Sequence, residues 1–454
     1  MTRYFPLAKL RVFAVIWFGQ VISMIGSGLT AFALGVWLYE RTGSVTPYAL
    51  NGLAYTLPML LLSPVAGAWA DRYDRRRTMI LSDCGAAVVT LVVALLARTG
   101  SLSVWQVYAA TAALAALDVF QRPAYMASIP LLVPKEHLGR TAGMVSLAGA
   151  TSSILAPAFA GVLLIHIGLE GIIAVDLGTF LVALGTLLAV RIPRPPATAA
   201  GQAGRGSFVR EALAGWAYIG ARRGLLAMTL FFALLNLAEG MSNVLRTPLV
   251  LSFTSPASLG SVMSAAGVGA LIGSLTMSAW GGPRRKMVGV FAFTFLAGAF
   301  QLLSGLAPSA LLVAVAFLGR YVTGPLFSGC STAIWQAKVA ADLQGRVFAA
   351  TTAIRGLCLS LVYVMAGPLA DRIFEPLLAV GGPLAPTVGR ILGTGAGRGI
   401  GLLMSLLGLL AMGVTGAGFA YPRLRLIEEE LPDAIPTTRA AEASRTPARG
   451  QASS

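Results

Sequence analysis

The chain has 454 residues, of which 56% are hydrophobic and 11% are charged, and its mean hydropathy is +0.77. Soluble globular domains carry about 25% charged residues, so this composition excludes them and indicates an integral membrane protein. A net charge of +16 would favour nucleic-acid binding in a soluble protein. Here the positions of the basic residues argue against nucleic acid as a partner.

Apolar segments long enough to cross a bilayer recur along the chain. A helix needs about 20 mostly apolar residues to do so. Twelve such segments are predicted, at 12–38, 46–70, 78–98, 103–127, 142–166, 170–190, 225–251, 258–280, 287–306, 310–333, 348–370 and 399–420. The predicted fold class is therefore an all-α integral membrane protein with twelve transmembrane helices.

Basic residues concentrate at the N-terminus, in alternate loops and in the C-terminal tail. The opposite loops hold only Arg41, Arg98, Arg372, Arg390 and Arg398. Cytoplasmic loops carry an excess of Lys and Arg, so both termini are predicted to be cytoplasmic. The excess of Arg over Lys favours a GC-rich bacterial genome, and the predicted location is the bacterial cytoplasmic (inner) membrane.

A Pro-rich and Gly-rich connection divides the chain into two halves. Residues 1–191 and 224–421 are each predicted to form a six-helix half, joined by a cytoplasmic linker with a short amphipathic segment at 192–223. Residues 422–454 are rich in Pro, Ala, Thr and Arg and are interpreted as a disordered cytoplasmic tail.

A faint internal repeat supports two pseudo-symmetric halves. Val133 and Arg140, before the fifth span, recur 206 residues later as Val339 and Arg346, before the eleventh. Parallel six-helix repeats of this kind are the layout of one large class of secondary transporter.

A dense charged cluster follows the second predicted span, where residues 71–77 hold six charges in seven positions. The pattern resembles the G-x-x-x-D-R-x-G-R-R loop of the major facilitator superfamily, which lies between the same two spans. The matching residues are Gly67, Asp71, Arg72, Arg75 and Arg76. The resemblance implies two six-helix halves that rock about a central path, with this cluster as a conformational latch that steadies the state closed to the cytoplasm.

Two departures qualify the match. Asp74 occupies the usual glycine position, where its charge is expected to weaken the latch, and Trp69 occupies a usually small position. The corresponding loop of the second half holds Arg284 and Arg285 but no acid. The alternative interpretation of residues 71–77 is a simple cytoplasmic anchor.

The same G-x-x-x-D-R spacing recurs at residues 367–372, at the end of the eleventh span. Topology places this copy on the predicted outer side, without the following arginines. We interpret it as a helix end with an interfacial pair.

The fifth span carries small residues that resemble the antiporter motif of the same superfamily, which the family associates with exporters. They are Gly143, Ser152, Ala156, Pro157 and Gly161. Small residues at helical spacing also permit ordinary close packing, and this alternative stays open.

Three short phrases are similar to the macrolide-efflux and siderophore-export branch of the superfamily. They are Trp17-Phe18-Gly19-Gln20, Arg122-Pro123-Ala124 and Val133-Pro134-Lys135-Glu136.

Ionisable groups inside spans cost roughly 2.5–3.5 kcal/mol each on insertion scales, so each is expected to have a partner or a function. Glu239 and Asp118 are the candidate proton-coupling residues, because an embedded carboxylate can load and release a proton. The candidates for the substrate path or for counter-charges are Arg122, Asn236, Asn243, Arg246, Arg320, Arg355 and Asp176.

The alternatives differ among these residues. Asp118 and Arg122 lie four residues apart and can form a purely structural pair, whereas Glu239 has no basic residue one helical turn away. Asp176 is interpreted as a helix-packing acid. Because three embedded acids face four embedded arginines, a neutral polar or anionic substrate fits at least as well as a basic drug.

The predicted function is proton-coupled efflux of an amphipathic small molecule, such as a drug, macrolide or secondary metabolite. Alternatives are a dedicated exporter of an endogenous siderophore or peptide, a lipid transporter, or a receptor or scaffold that does not transport. The chain has no G-x-x-x-x-G-K-[ST] phosphate-binding loop and no metal-ligand or nucleophile–base spacing. The predicted partners are a small-molecule substrate, protons and the lipid bilayer, with no cofactor, metal, enzymatic activity or ATPase subunit.

Overall fold

The computed structural model describes residues 4–133, 138–190, 223–338 and 344–430. These residues are almost entirely helical and contain no β-strand. The long helices are α1 (Tyr4–Thr42), α2 (Val45–Arg72), α3 (Arg75–Arg98), α4 (Val104–Leu132), α5 (Leu138–Ala189), α6 (Arg223–Leu251), α7 (Pro256–Trp280), α8 (Lys286–Leu306), α9 (Ala310–Lys338), α10 (Gln344–Pro368) and α13 (Arg398–Ala420). Short elements are a π-helical turn (Leu369–Phe374), α11 (Glu375–Leu378), α12 (Gly389–Leu392), α14 (Pro422–Arg425) and α15 (Ile427–Glu430).

Nine helices among the described residues are long and apolar enough to cross a membrane. The predicted all-α membrane fold is thereby confirmed. The count of twelve spans stays a prediction, as does the linker at 192–223, which except for Arg223 lies outside the described residues.

Helix α5 is divided into two arms at Gly168, where φ is 65° and ψ is −175°. This backbone conformation favours glycine, which has no Cβ. Both arms lie along α1. The first arm runs parallel to α1, because Met144 meets Trp17 and Ser152 meets Met24. The second arm runs antiparallel, because Thr179 meets Gly26 and Thr186 meets Gly19. The fifth and sixth predicted spans therefore correspond to the two arms of one hairpin.

Helix ends follow local chemistry. Helix α3 begins after Asp74, whose carboxylate accepts a hydrogen bond from the Arg77 amide at 3.0 Å. Helix α7 begins with Pro256 after the Ser255 N-cap and ends before Gly281, which adopts φ 73°. Proline in the first turn and a left-handed glycine after the last turn are standard helix boundaries.

The two halves meet along two helix pairs, α2 with α10 and α5 with α7. The largest apolar cluster joins the halves, because Val36 and Val45 of the first half pack with Leu245, Leu249 and other buried residues of the second. This cluster lies near the start of α2. We call the end of the bundle that carries Arg75–Arg77 the basic end. We call the other end, where α2 starts and this cluster lies, the opposite end.

The contact between α5 and α7 depends on the small residues of the antiporter-like motif. A Cβ atom on Gly161 would lie 2.6 Å from the Pro256 carbonyl oxygen, and one on Gly260 would lie 2.5 Å from the Pro157 carbonyl oxygen. These glycines therefore bring the two backbones into direct contact.

The other members of the motif face α1 or open space. The Ser152 hydroxyl donates to the Met24 carbonyl oxygen at 3.0 Å, and Ala156 packs on Gly28. A Cβ on Gly143 would meet no atom within 4 Å. The motif thus places α5 between α1 of its own half and α7 of the other half.

The start of the C-terminal tail differs from the disordered segment that its composition predicts. Residues 422–430 form α14 and α15, and both Leu424 and Ile427 are buried beside Phe231 and Met287. Two apolar side chains in a polar run are enough to anchor it. Residues 431–454 lie outside the described part.

The glycine contact gives a test of the interface. Gly161→Ala is expected to lower the melting temperature in detergent, because the added methyl forces the α5 and α7 backbones apart. Overpacking of this kind typically costs about 1–3 kcal/mol. The matched control is Gly149→Ala in the same arm, since a Cβ there meets no atom within 4 Å. Equal melting temperatures for the two variants would contradict this packing.

Candidate substrate cavity and its charged residues

A cavity of about 430 Å³ lies within the second half of the molecule. Its lining comes from α6, α7, α8, α9, α10 and α13, and all of its lining residues lie between Thr229 and Ala411. This volume is within the range of small-molecule sites. The charged side chains that line it are Glu239, Arg320 and Arg355.

An ion pair joins two helices across this cavity. Glu239 on α6 and Arg320 on α9 approach to 3.2 Å between Oε1 and Nη2, with their side chains 47% and 16% exposed, respectively. The guanidinium is therefore largely enclosed, while the carboxylate faces the open space. The sequence identified both residues but did not indicate that they pair, because they come from different helices.

Arg355 on α10 is the second cation of the cavity. Its side chain is exposed, and no described residue forms a hydrogen bond or ion pair with it. With the Glu239–Arg320 pair neutralised, the charged lining carries one uncompensated positive charge.

Aromatic rings form the apolar part of the wall. Phe232 meets Phe327 edge to face, with ring centroids 5.5 Å apart, and Phe293 and the buried Trp335 complete this surface. Amide groups from Asn236 and Gln301 also line the cavity. Charges, amides and rings in one concavity suit a molecule that is polar at one end and apolar at the other.

Two further candidates on α6, Asn243 and Arg246, face Tyr321 of α9. The Tyr321 hydroxyl donates to Asn243 Oδ1 at 2.9 Å and accepts a hydrogen bond from Arg246 Nη1. The Arg246 guanidinium also lies 5.4 Å from the Tyr321 ring centroid and 5.9 Å from that of Phe317. Cation–π contacts of this kind stabilise an embedded arginine. Asn236 and Glu239 thus line the cavity, whereas Asn243 and Arg246 brace its wall.

Asp118 and Arg122 lie in the first half, outside this cavity. Both the Arg122 guanidinium and the Tyr55 hydroxyl of α2 lie close to the Asp118 carboxyl. The Tyr55 side chain is 42% exposed. The structure therefore adds Tyr55 to the pair that helical spacing predicts.

Asp176 is 2% exposed and lies between the second arm of α5 and α1. Its Oδ1 atom accepts from the Ser27 hydroxyl at 3.4 Å and from the Thr179 hydroxyl at 3.3 Å. This enclosed, hydroxyl-lined position is separate from the cavity lining, and the interpretation of Asp176 as a packing acid stays a prediction.

One embedded acid escaped the sequence analysis. Asp83 on α3 is 1% exposed, and the Gln121 amide of α4 donates both to its Oδ1 atom and, at 3.1 Å, to Gln20 Oε1 of α1. A carboxylate inside the predicted span 78–98 was the available signal. Gln20 belongs to the Trp17–Gln20 motif, so one residue of that motif takes part in this hydrogen-bonded cluster.

At the basic end, the latch residues Arg75 and Arg76 bind backbone carbonyl groups of other helices in their own half. Arg75 Nη1 donates to the Ala127 carbonyl oxygen at 2.6 Å, and Arg76 Nε donates to that of Leu187 at 2.9 Å. Asp74, at the usual glycine position of the loop, caps α3.

The surroundings of the other three latch residues, Gly67, Asp71 and Arg72, lie outside the described part. The latch therefore stays a prediction.

The equivalent loop of the second half receives its acids from the tail. Glu428 of α15 accepts hydrogen bonds from the Lys286 and Met287 amides at 3.0 and 2.9 Å, and Glu429 pairs with Arg285 at 3.2 Å. Sequence comparison of the two loops missed this arrangement, because the acids lie more than 140 residues downstream.

Comparisons with known proteins place the chain in a family. The model of the Major Facilitator Superfamily matches residues 16–362. Macrolide efflux protein A of Streptococcus pyogenes is 30% identical over 367 residues, covering 80% of this chain and 90% of that protein. Enterobactin exporter EntS of Salmonella typhi is 28% identical over 271 residues, covering 58% of this chain and 63% of that protein.

The fold has solved counterparts. A bacterial homologue of the human lysosomal transporter Spinster matches with a TM-score of 0.69 and 16% identity, covering 93% of this chain and 98% of that chain. The match to the Major Facilitator Superfamily and the efflux relatives confirm the family and the branch that the sequence motifs predicted, and the solved structure confirms the fold.

The ion pair across the cavity predicts energetic coupling between α6 and α9. In a double-mutant cycle of Glu239→Gln and Arg320→Gln, the effects on the unfolding free energy in detergent should be non-additive. Because the carboxylate is half exposed, we expect a coupling of about 0.5–1 kcal/mol. The control cycle pairs Glu239→Gln with Arg246→Gln, since Arg246 binds Tyr321 instead. Additivity in both cycles would contradict the pair.

Proposed function

The chain belongs to the major facilitator superfamily and is a membrane transporter rather than an enzyme, and on that premise we propose that it exports an amphipathic small molecule in exchange for protons by alternating access. The curated relatives named as a macrolide efflux protein and an enterobactin exporter support export. The halves meet along two pairs of helices, and this arrangement supports a rocking motion of one half against the other.

The observation that carries this proposal is the Glu239–Arg320 pair on the cavity surface. When the Glu239 carboxylate accepts a proton, it loses its charge and its attraction for Arg320. The proton therefore changes the charge of the cavity lining by one unit. A substrate that binds this lining only while Glu239 carries its negative charge is then exchanged for the proton.

Asp118 is proposed as a second proton-coupling group. It lies close to Arg122 and the partly exposed Tyr55, so its protonation changes the charge balance of the first half in the same way. Asp176 and its hydroxyl partners are proposed to hold α1 on α5 without taking part in exchange.

The proposed orientation follows the basic residues. The basic end carries Arg75–Arg77 in one half and Arg284–Lys286 in the other, so it is the end proposed to face the cytoplasm. Twelve spans with both termini inside, in the bacterial inner membrane, follow from this arrangement together with the two arms of α5.

Substrate accumulation in everted membrane vesicles tests whether export is coupled to protons. Glu239→Gln is expected to abolish accumulation driven by a pH gradient, because the neutral amide cannot exchange a proton. Asp118→Asn is expected to reduce accumulation at least several-fold. Glu170→Gln, an exposed carboxylate distant from the cavity lining, serves as the control and should transport normally.

Three outcomes would count against this assignment. Transport that does not depend on the gradient would remove proton coupling, and full activity in both acid variants would remove these carriers. Complete absence of transport by the native chain for all amphipathic probes would favour the receptor or scaffold alternative.

A second candidate concerns the charge of the substrate. The unpaired Arg355 favours a molecule with an acidic group, because a guanidinium binds carboxylate and similar anions in a bidentate manner. This supports the alternative of a dedicated exporter of an acidic siderophore or peptide.

Inhibition of transport by acidic, neutral and basic amphiphiles tests which substrate charge the cavity prefers. Arg355→Gln is expected to weaken inhibition by acidic amphiphiles about tenfold and to leave inhibition by neutral ones unchanged. Arg246→Gln provides a comparison with a cation outside the cavity lining. Strong export of basic macrolides together with no interaction of acidic siderophores would exclude the acidic class.

A further inference from the structure

The contact between α2 and α10 at the opposite end contains a polar tie between the two halves. Asp371, in the π-helical turn that continues α10, lies against the first turn of α2. Its carboxylate accepts hydrogen bonds from the Val45 amide at 2.9 Å and the Thr46 amide at 2.8 Å. The hydroxyls of Ser44 and Thr46 donate to it at 2.5 and 2.6 Å.

The charge on Asp371 has no cationic partner, since no Lys or Arg among the described residues forms an ion pair with it. Its stabilisation comes instead from the amides and the positive dipole end of α2. An aspartate normally caps the helix that follows it in sequence, but Asp371 lies more than 320 residues from the helix that it caps. The interfacial pair expected from the sequence is thus a cap that crosses between the halves.

Backbone packing brings the carboxylate to this position. Gly367, four residues before Asp371, lies directly against Thr46, and a Cβ at Gly367 would overlap the Thr46 backbone. The glycine and aspartate of the G-x-x-x-D-R spacing at 367–372 therefore act together, one by close approach and the other by capping.

We propose that Asp371 is the residue that holds the opposite end of the transporter closed. Separation of the halves at this end removes four hydrogen bonds from the carboxylate and exposes the first turn of α2. The tie thereby favours the state in which the opposite end is shut, and its rupture is a required step in opening that end. This role rests on the proposed alternating-access function.

Distance measurement between the halves tests the tie. In a chain whose three cysteines are replaced by alanine, spin labels are placed at the opposite end through Ser101→Cys in the first half and Val380→Cys in the second. Both positions are exposed. Purified protein with native Asp371 should give one predominant short distance.

Asp371→Asn is expected to raise the ratio of long to short distances about tenfold, since the loss of a charge-assisted cap removes most of the tie. If this variant does not fold, Ser44→Ala combined with Thr46→Val removes two of the four donors and should produce a smaller shift in the same direction. Glu375→Gln is the control. That carboxylate caps α13 within the second half, through the Gly397 and Ile400 amides, and its loss should leave the ratio unchanged.

An unchanged distance distribution in folded Asp371→Asn, or an equal shift in Glu375→Gln, would overturn the proposal. The measurement needs no substrate and no proton gradient, so its outcome does not depend on proton coupling. Failure of the vesicle assay together with the expected tenfold shift would remove the proposal of proton-coupled export and leave the tie in place.

Discussion

A bilayer interior offers no water to satisfy backbone polar groups, so each N–H and C=O must find a partner within the protein. Helices meet this requirement except at their first and last turns. In this molecule, carboxylates from other segments of the chain cap several of those first turns. Asp371 caps α2, Glu375 caps α13 and Glu428 caps α8. The same constraint that makes the fold helical thus creates the sites where distant segments are tied together.

Local properties of the chain predict a large part of this architecture. The span expected at 78–98 corresponds to α3, and the break expected between 166 and 170 is the turn at Gly168, because apolar length and glycine are read directly from neighbouring residues. Contacts between helices are harder to predict from the sequence. Glu239 is recognisable as an embedded acid, but its pairing with Arg320 depends on how α6 and α9 are rotated against each other. That rotation results from packing over the whole half.

The tail and the overlooked acid illustrate a second limit. The composition after Pro422 is polar, and disorder is the reasonable expectation for it, yet Leu424 and Ile427 fit into an apolar cluster formed by α6, α8 and α9. A composition average does not register two well-placed side chains. Asp83 is visible in the sequence as a carboxylate inside the span 78–98, but its partners Gln20 and Gln121 come from two other helices. Only their assembly makes a buried polar cluster.

All of the described residues that line the cavity belong to the second half of the chain, and this placement has a consequence for the roles of the two halves. Under the proposed alternating access, a molecule held there would move with the second half, and the first half would form the opposing wall. Substitutions that alter substrate recognition would then lie in one part of the chain. Substitutions that alter how readily the transporter changes state would lie in another. Selection could then alter the substrate while leaving the glycine contact between α5 and α7 unchanged.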